Sequence, residues 1–203
     1  MKEYFIRGIH HPKFGAKFDL FIIYAIIYVI NMKWIIFTGT WRLTNKEVEN
    51  DVRQEARRIF ERGDGLVTGG ATGVDYFAMD EFIKLNPSCT NMRIFIPAKL
   101  DHFISDYRKN WKHKPIDDVD IDNLEHLLKL IKERNPSAVF EVRKDSGDIT
   151  QDDYDLRHNE EVTFSDEVYA FHVNKSNGTG DTVKKANDAG LLIGLHKNYT
   201  ILE

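Results

Sequence analysis

The residues with the most chemical promise are the glycine turn Gly69-Gly70-Ala71-Thr72-Gly73-Val74-Asp75, which follows the short apolar run Leu66-Val67-Thr68. Glycine at a strand-to-helix turn lets the backbone approach an anion closely. The helix that follows presents unpaired N–H groups and its positive dipole end. A phosphate or ribose phosphate is the natural guest. Two more segments share this character: Thr38-Gly39-Thr40 after Trp34-Ile35-Ile36-Phe37, and the loop Asn174 to Gly180 after the run Val168 to Val173. One such turn is often no more than a tight bend. Three at strand ends point to a single site. On this reading Gly69, Gly70, Thr72 and Gly73 contact phosphate, as do Gly178 and Thr179, while Thr38, Gly39 and Thr40 line the floor. Asp75 braces the turn as a helix-start carboxylate, with a ribose hydroxyl as its alternative partner.

Charged candidates lie further along. The guanidinium of Arg157 matches phosphate geometry. Its alternative is a surface ion pair with Asp153, Asp155, Glu160 or Glu161. Asn159 is placed to read a ribose or base edge, and His158 between them is expected to point away. His172 sits in an apolar strand and reads as a satisfied core or rim histidine. The acidic stretch Asp117-Asp118-Val119-Asp120 reads as a solvated loop, because contiguous carboxylates without a histidine at ligand spacing do not make a metal site. No metal and no cofactor is called for. No Gly-Lys-Ser/Thr follows any of the glycine turns, so none is a P-loop, and the dinucleotide fingerprint is absent after the first strand.

These residues must be held by an alternating chain. Apolar runs at 34–37, 66–68, 93–96, 138–142, 168–173 and 191–195 read as strands. Val48, Val52, Ala56 and Ile59 recur at helical spacing within 45–62, with Thr44 or Asn45 as N-cap and Gly63 as stop. Helices are also expected over 75–85, 101–111, 121–133 and 182–189. Strands alternating with helices imply βαβ units, hence an α/β fold: a Rossmann-like three-layer sandwich with a mostly parallel sheet. In such a sheet ligands bind at the carboxyl ends of the strands, where the strand order reverses.

Length and composition fit one domain. The chain has 203 residues, 42% hydrophobic and 30% charged, with a net charge of −4. That charge argues against a surface given over to nucleic acid, and the basic cluster with an aromatic inside it (Arg108, Lys109, Trp111, Lys112, His113, Lys114) reads more readily as a solvated helix face. Cys89 is the single cysteine, so no intrachain disulfide forms and a cytoplasmic setting is expected. Leu20 to Ile30 is apolar but too short to span a bilayer, so stable membrane insertion is not expected. Residues 1–31 read as an extension, with Met32 as an alternative natural start, and 32–203 as the ligand-binding domain.

A family resemblance adds to this. Leu66 to Asp75, followed by Ala78, resembles the GGA-x-G-[IVA]-D signature of the SLOG superfamily, which includes the DprA/Smf proteins, the LOG phosphoribohydrolases and the YspA-like proteins. Thr38-Gly39-Thr40-Trp41-Arg42 is similar to the Gly-Ser-Arg loop after the family's first strand. Arg157-His158-Asn159 resembles its Arg-Asn element. The run Gly178 to Ala186 is similar to the Gly-Thr-x-Asp-x-x-x-x-Ala element of the YspA-like branch. The resemblance implies a Rossmann-like fold that binds or senses a nucleotide or nucleotide-derived ligand. For the LOG branch it implies cleavage of a nucleoside monophosphate at the N-glycosidic bond by an arginine and a glutamate beside a Pro-Gly-Gly-x-Gly-Thr-x-x-Glu loop. Here the Pro-Gly-Gly is missing and Thr182 stands at the glutamate position, which leaves Arg157 and Asp181 as the catalytic pair of that reading. The DprA branch implies a DNA-processing protein that binds single-stranded DNA. Sheet-edge or helix-mediated dimers are common in the family, so a homodimer is in view. The expectation is therefore a binding module for a nucleotide or nucleotide-sugar ligand, with the hydrolase and the DNA-binding protein as alternatives.

Overall fold

The structure, a computed structural model, describes residues 32–110, 116–144 and 147–202. The extension 1–31 lies outside the described residues, as do Trp111, Lys112, His113 and Lys114 of the basic cluster.

Among the described residues six strands form one sheet: β1 (Trp34–Gly39), β2 (Gly65–Thr68), β3 (Met92–Ile96), β4 (Val139–Glu141), β5 (Glu167–Val173) and β6 (Leu192–Tyr199). Their order is β4-β3-β2-β1-β5-β6, and every neighbouring pair is parallel. The sheet is thus wholly parallel. Strand composition explains this. Ile35 to Phe37, Leu66, Val67 and Ile94 to Ile96 are buried along their runs, as strands covered on both faces must be. Edge strand β6 instead alternates between half-buried and exposed residues.

Six helices connect the strands: α1 (Lys46–Glu61), α2 (Val74–Leu85), α3 (Leu100–Asn110), α4 (Asp118–Arg134), α5 (Gln151–Phe164) and α6 (Asn177–Asp188). Successive strand residues serve opposite layers. Ile35, Phe37, Leu66 and Ile94 pack with Val48, Ala78, Phe103 and Leu124 from α1 to α4. Ile36, Val67, Phe95 and Val168 pack with Val162 of α5 and Ala186 of α6. The result is the expected three-layer sandwich. The chain steps outward from β1 to β4 with helices on one face, then returns to β5 beside β1 with helices on the other. The order therefore reverses between β1 and β5, and a crevice opens outside their carboxyl ends.

The helix starts are encoded locally. Asn45 caps α1, its Oδ1 accepting from Val48 N–H at 2.9 Å. Asp117 caps α4 and forms a capping box with Asp120. The acidic stretch 117–120 is therefore a helix start, and not the solvated loop its composition suggests. Helix α6 begins at Asn177, so Gly178-Thr179-Gly180 form its first turn, more than a helical turn before the expected start at Thr182. Helix α5, which the apolar pattern does not reveal, buries only Glu161 and Val162.

Candidate functional site

Two adjoining chambers occupy the crevice. The larger, about 520 Å³, is walled by the ends of β1 and β2, by α5 and by the start of α6. The smaller, about 410 Å³, lies between the loops after β1 and β5. They share Gly39, Trp41, Asn177 and Gly178. Such volumes are ordinary for a small-molecule site.

Helix α5 supplies the floor of the larger chamber. Tyr154, Arg157, His158 and Glu161 stand at i, i+3, i+4 and i+7, which places them on one helix face. Arg157 Nη1 donates to Glu161 Oε1 at 3.1 Å, and Nη2 donates to His158 Nε2 at 2.9 Å. The guanidinium carbon lies 5.8 Å from the Tyr154 ring centre. Arginine has no acceptor atom, so His158 Nε2 must accept and its proton sits on Nδ1. Burial, then Arg157 and Lys185, push the His158 pKa down to about 2, so this imidazole stays neutral. Glu161 is the reverse case. Burial raises it, Arg157 opposes, Asp75 raises it again, and the carboxyl settles at about 7.

The glycine turn is closed on itself. Ala71 N–H donates to Asp75 Oδ2 at 3.1 Å. Thr72 N–H faces Tyr107 Oη at 3.3 Å, Thr72 Oγ1 donates to Trp41 O at 2.6 Å, and Val74 N–H donates to Thr40 O at 3.1 Å. Gly70 N–H faces Thr68 Oγ1 at 3.4 Å. Asp75 is buried, which raises its pKa, while Arg157, the Ala71 and Gly69 N–H groups and the Thr68 hydroxyl stabilise its charge. Tyr107, pushed up to about 12 by burial, is a neutral hydrogen-bond partner. Two glycines here are required by close approach. At Gly69 a Cβ would lie 1.3 Å from Arg157 Nη1. At Gly73, with φ of 71°, it would lie 2.3 Å from Thr40 O. The turn's glycines thus admit an arginine and a neighbouring strand end, and the N–H groups of residues 70, 71, 72 and 74 are taken up within the protein.

The expected site residues divide accordingly. Thr38, Gly39, Gly69, Asp75, Arg157, Gly178 and Asp181 line the larger chamber. Gly39, Thr40, Gly178 and Thr179 line the smaller. Gly70 faces Ile94 and Ile96, and Thr72 and Gly73 pack beneath Trp41. Asn159 is exposed and faces away, while His158 lines the chamber, the reverse of the expected orientation. Helical geometry decides this, since 154, 157, 158 and 161 share a face that 159 does not. Arg157 is 12% exposed, so its pair with Glu161 is a buried one. Asp181 is held by Lys185 at 2.8 Å. Sequence reasoning passed over Glu161, Trp41, Tyr107 and Lys185, although the 154/157/158/161 spacing carried the signal for the first. His172 bonds Ser176 O and His196 at the rim of the sheet. Arg108 is engaged by Asp122 and Glu125.

Asp155, His158 and Asp181 bring their ligand atoms within 4.8 Å of one another. Cation binding is disfavoured there for two reasons. Lys185 Nζ already bridges the two carboxylates, at 3.4 and 2.8 Å. His158 Nδ1 carries the proton, so it offers no lone pair.

Solved structures share the fold. DNA processing protein A from Helicobacter pylori, which binds single-stranded DNA, aligns with a TM-score of 0.56 at 15% identity, over 87% of this chain and 68% of that one. DNA processing protein A from Streptococcus pneumoniae aligns with a TM-score of 0.52 at 13% identity, over 86% of this chain and 52% of that one, so this chain spans about half its length. At these identities the likeness is one of fold. No family model and no curated protein matches the chain. No helix among the described residues is long and apolar enough to cross a membrane.

Proposed function

We propose that this chain binds a nucleotide or nucleotide-derived ligand in the crevice outside β1 and β5. The observation that carries the reading is the pairing of the two chambers across one shared wall. The first turn of α6, with Gly178 and Thr179, borders both and offers a helix N-terminus to phosphate. Arg157 supplies a cation over Gly69. Trp41, Tyr107 and Tyr154 offer aromatic surface to a base, and Asp155 and Asp181 offer acceptors to sugar hydroxyls. Phosphate recognition moves, in this account, from the glycine turn to α6 and Arg157, with the turn as the scaffold that seats Arg157. The likeness of the run Gly178 to Ala186 to the YspA-like element favours a binding or sensing role, and the single cysteine favours a cytoplasmic setting. A thermal-shift panel of AMP, GMP and ADP-ribose tests the reading. Stabilisation by at least one supports it, and stabilisation by none overturns it.

A second reading, hydrolysis at the N-glycosidic bond of a nucleoside monophosphate, is favoured by one observation: Glu161 is a buried carboxyl that titrates near neutrality beside Arg157. Glu161 would take the role that sequence reasoning gave to Asp181, whose carboxylate is tied to Lys185. Free base released from AMP, and abolished by Glu161→Gln, would establish it; no release would exclude it for AMP. Single-stranded DNA binding draws support from the fold alone.

A further inference from the structure

We propose that the crevice takes up a proton, onto Glu161, when an anionic ligand binds against Arg157. The inference rests on the nucleotide-binding reading above and specifies how its charge is accommodated.

Charge must balance in a closed space. Helix α2 contributes Asp75, and α5 contributes Arg157, His158 and Glu161. Helix α6 contributes Lys185 and Asp181. Asp75 and Glu161 are 8% and 3% exposed. With both ionised, one guanidinium faces two buried carboxylates, and the floor is already net negative. His158 cannot compensate, since its Nε2 accepts from Arg157 and the ring is held neutral. Lys185 is engaged at the rim by Asp155 and Asp181. A phosphate arriving at Arg157 therefore adds a third negative charge to a poorly solvated cluster. The least costly relief is to neutralise one carboxyl.

The two carboxyls are not equivalent. Burial raises Asp75 on balance, but Arg157, the N–H groups of Ala71 and Gly69 and the Thr68 hydroxyl all favour its anion. The Glu161 carboxylate accepts from Arg157, and no second side chain donates to it among the described residues. Glu161 is also raised to about 7 before any ligand arrives, so protonating it near neutral pH costs little. The device favours phosphate-bearing ligands at lower pH. It leaves an uncharged nucleoside without pH dependence.

The test is isothermal titration of ADP-ribose, from about pH 6 to about pH 8.5, in two buffers of different ionisation heat. Its diester phosphates do not titrate in this range, whereas the second ionisation of a monoester, at about 6, would intrude. The wild type should take up a fraction of a proton near neutrality and close to one at the alkaline end. Its Kd should rise by about tenfold per pH unit above about 7. In Glu161→Gln the slope should vanish, so that this variant binds about tenfold tighter than the wild type near pH 8. Asp75→Asn should keep the slope. Binding that is independent of pH overturns proton uptake and leaves the nucleotide reading intact. A slope that survives in Glu161→Gln, or is lost only in Asp75→Asn, overturns the assignment to Glu161. No binding of ADP-ribose at any pH overturns the inference, and the nucleotide reading falls with it only if AMP and GMP also fail to stabilise the protein.

Discussion

Gly69 and Arg157 occupy one another's space: a Cβ at position 69 would fall 1.3 Å from Arg157 Nη1 and 2.9 Å from Glu161 Oε1. The two residues are far apart in sequence, and their contact joins the turn after β2 to the charged face of α5. Much of the site depends on it, because Arg157 also holds His158 in one tautomer and faces Asp75.

Gly69→Ala should therefore displace the guanidinium while leaving the fold intact. The expected loss of stability is about 1–3 kcal/mol, since the backbone there is compatible with alanine and the strain is local. Ligand affinity should fall more than tenfold. Chemical denaturation and titration of the same variant separate the two effects. Unchanged affinity would mean that Arg157 does not contact the ligand.

Arg157→Gln removes the counter-charge of two buried carboxyls. Breaking such a group from one side costs about 3–5 kcal/mol. The cost should be smaller near pH 5 than near pH 8, because Asp75 and Glu161 can then be protonated. Urea melts at the two pH values check this, and equal losses at both would contradict the buried-charge account.

Glu161→Gln should show the opposite pH dependence. The folded protein holds the Glu161 proton up to about 7, against an ordinary value of 4.5. The stability contributed by that bound proton is fully present below 4.5 and is lost as pH rises through 7. The variant lacks this loss, so its stability relative to the wild type should climb over that window by up to about 3 kcal/mol and then level off. His158, whose pKa is depressed, works the other way and destabilises as pH falls below 6.5, but it does so in both proteins. A difference that stays flat from about pH 5 to about pH 8 would contradict the raised pKa.

Thr72→Val removes a hydroxyl that bonds Trp41 O and meets Tyr107 Oη at 2.8 Å. The hydroxyl's one proton goes to Trp41 O, so Tyr107 O–H donates to Thr72 Oγ1. An acceptor and a donor each lose a partner, and a cost of about 1–3 kcal/mol is expected in denaturant unfolding. A neutral effect would show that the turn is not braced through Thr72.

The fold was largely legible because it is written in apolar runs. Leu66-Val67-Thr68 and Ile94-Phe95-Ile96 are buried on both faces, and only a parallel central strand needs that. Helix α5 was not legible by the same rule, since its inward face is Tyr154, Arg157, His158 and Glu161 and its apolar pattern is weak. The charged wall of the crevice is thus built from residues that a hydrophobic pattern ignores. The glycine turn was legible as a turn, but its N–H groups were assigned to a ligand. Their true partners, Asp75, Tyr107 and Thr40, come from a helix start, a later helix and another strand end, and only the third dimension brings them together.

Under the proposed function, Arg157 anchors an anionic nucleotide-type ligand in the crevice outside β1 and β5. Isothermal titration of ADP-ribose at about pH 6.5 into the wild type and into Arg157→Gln tests it most directly. The account predicts saturable binding to the wild type, weakened at least tenfold by the substitution. Equal affinity for both proteins, or no binding to the wild type, would contradict it.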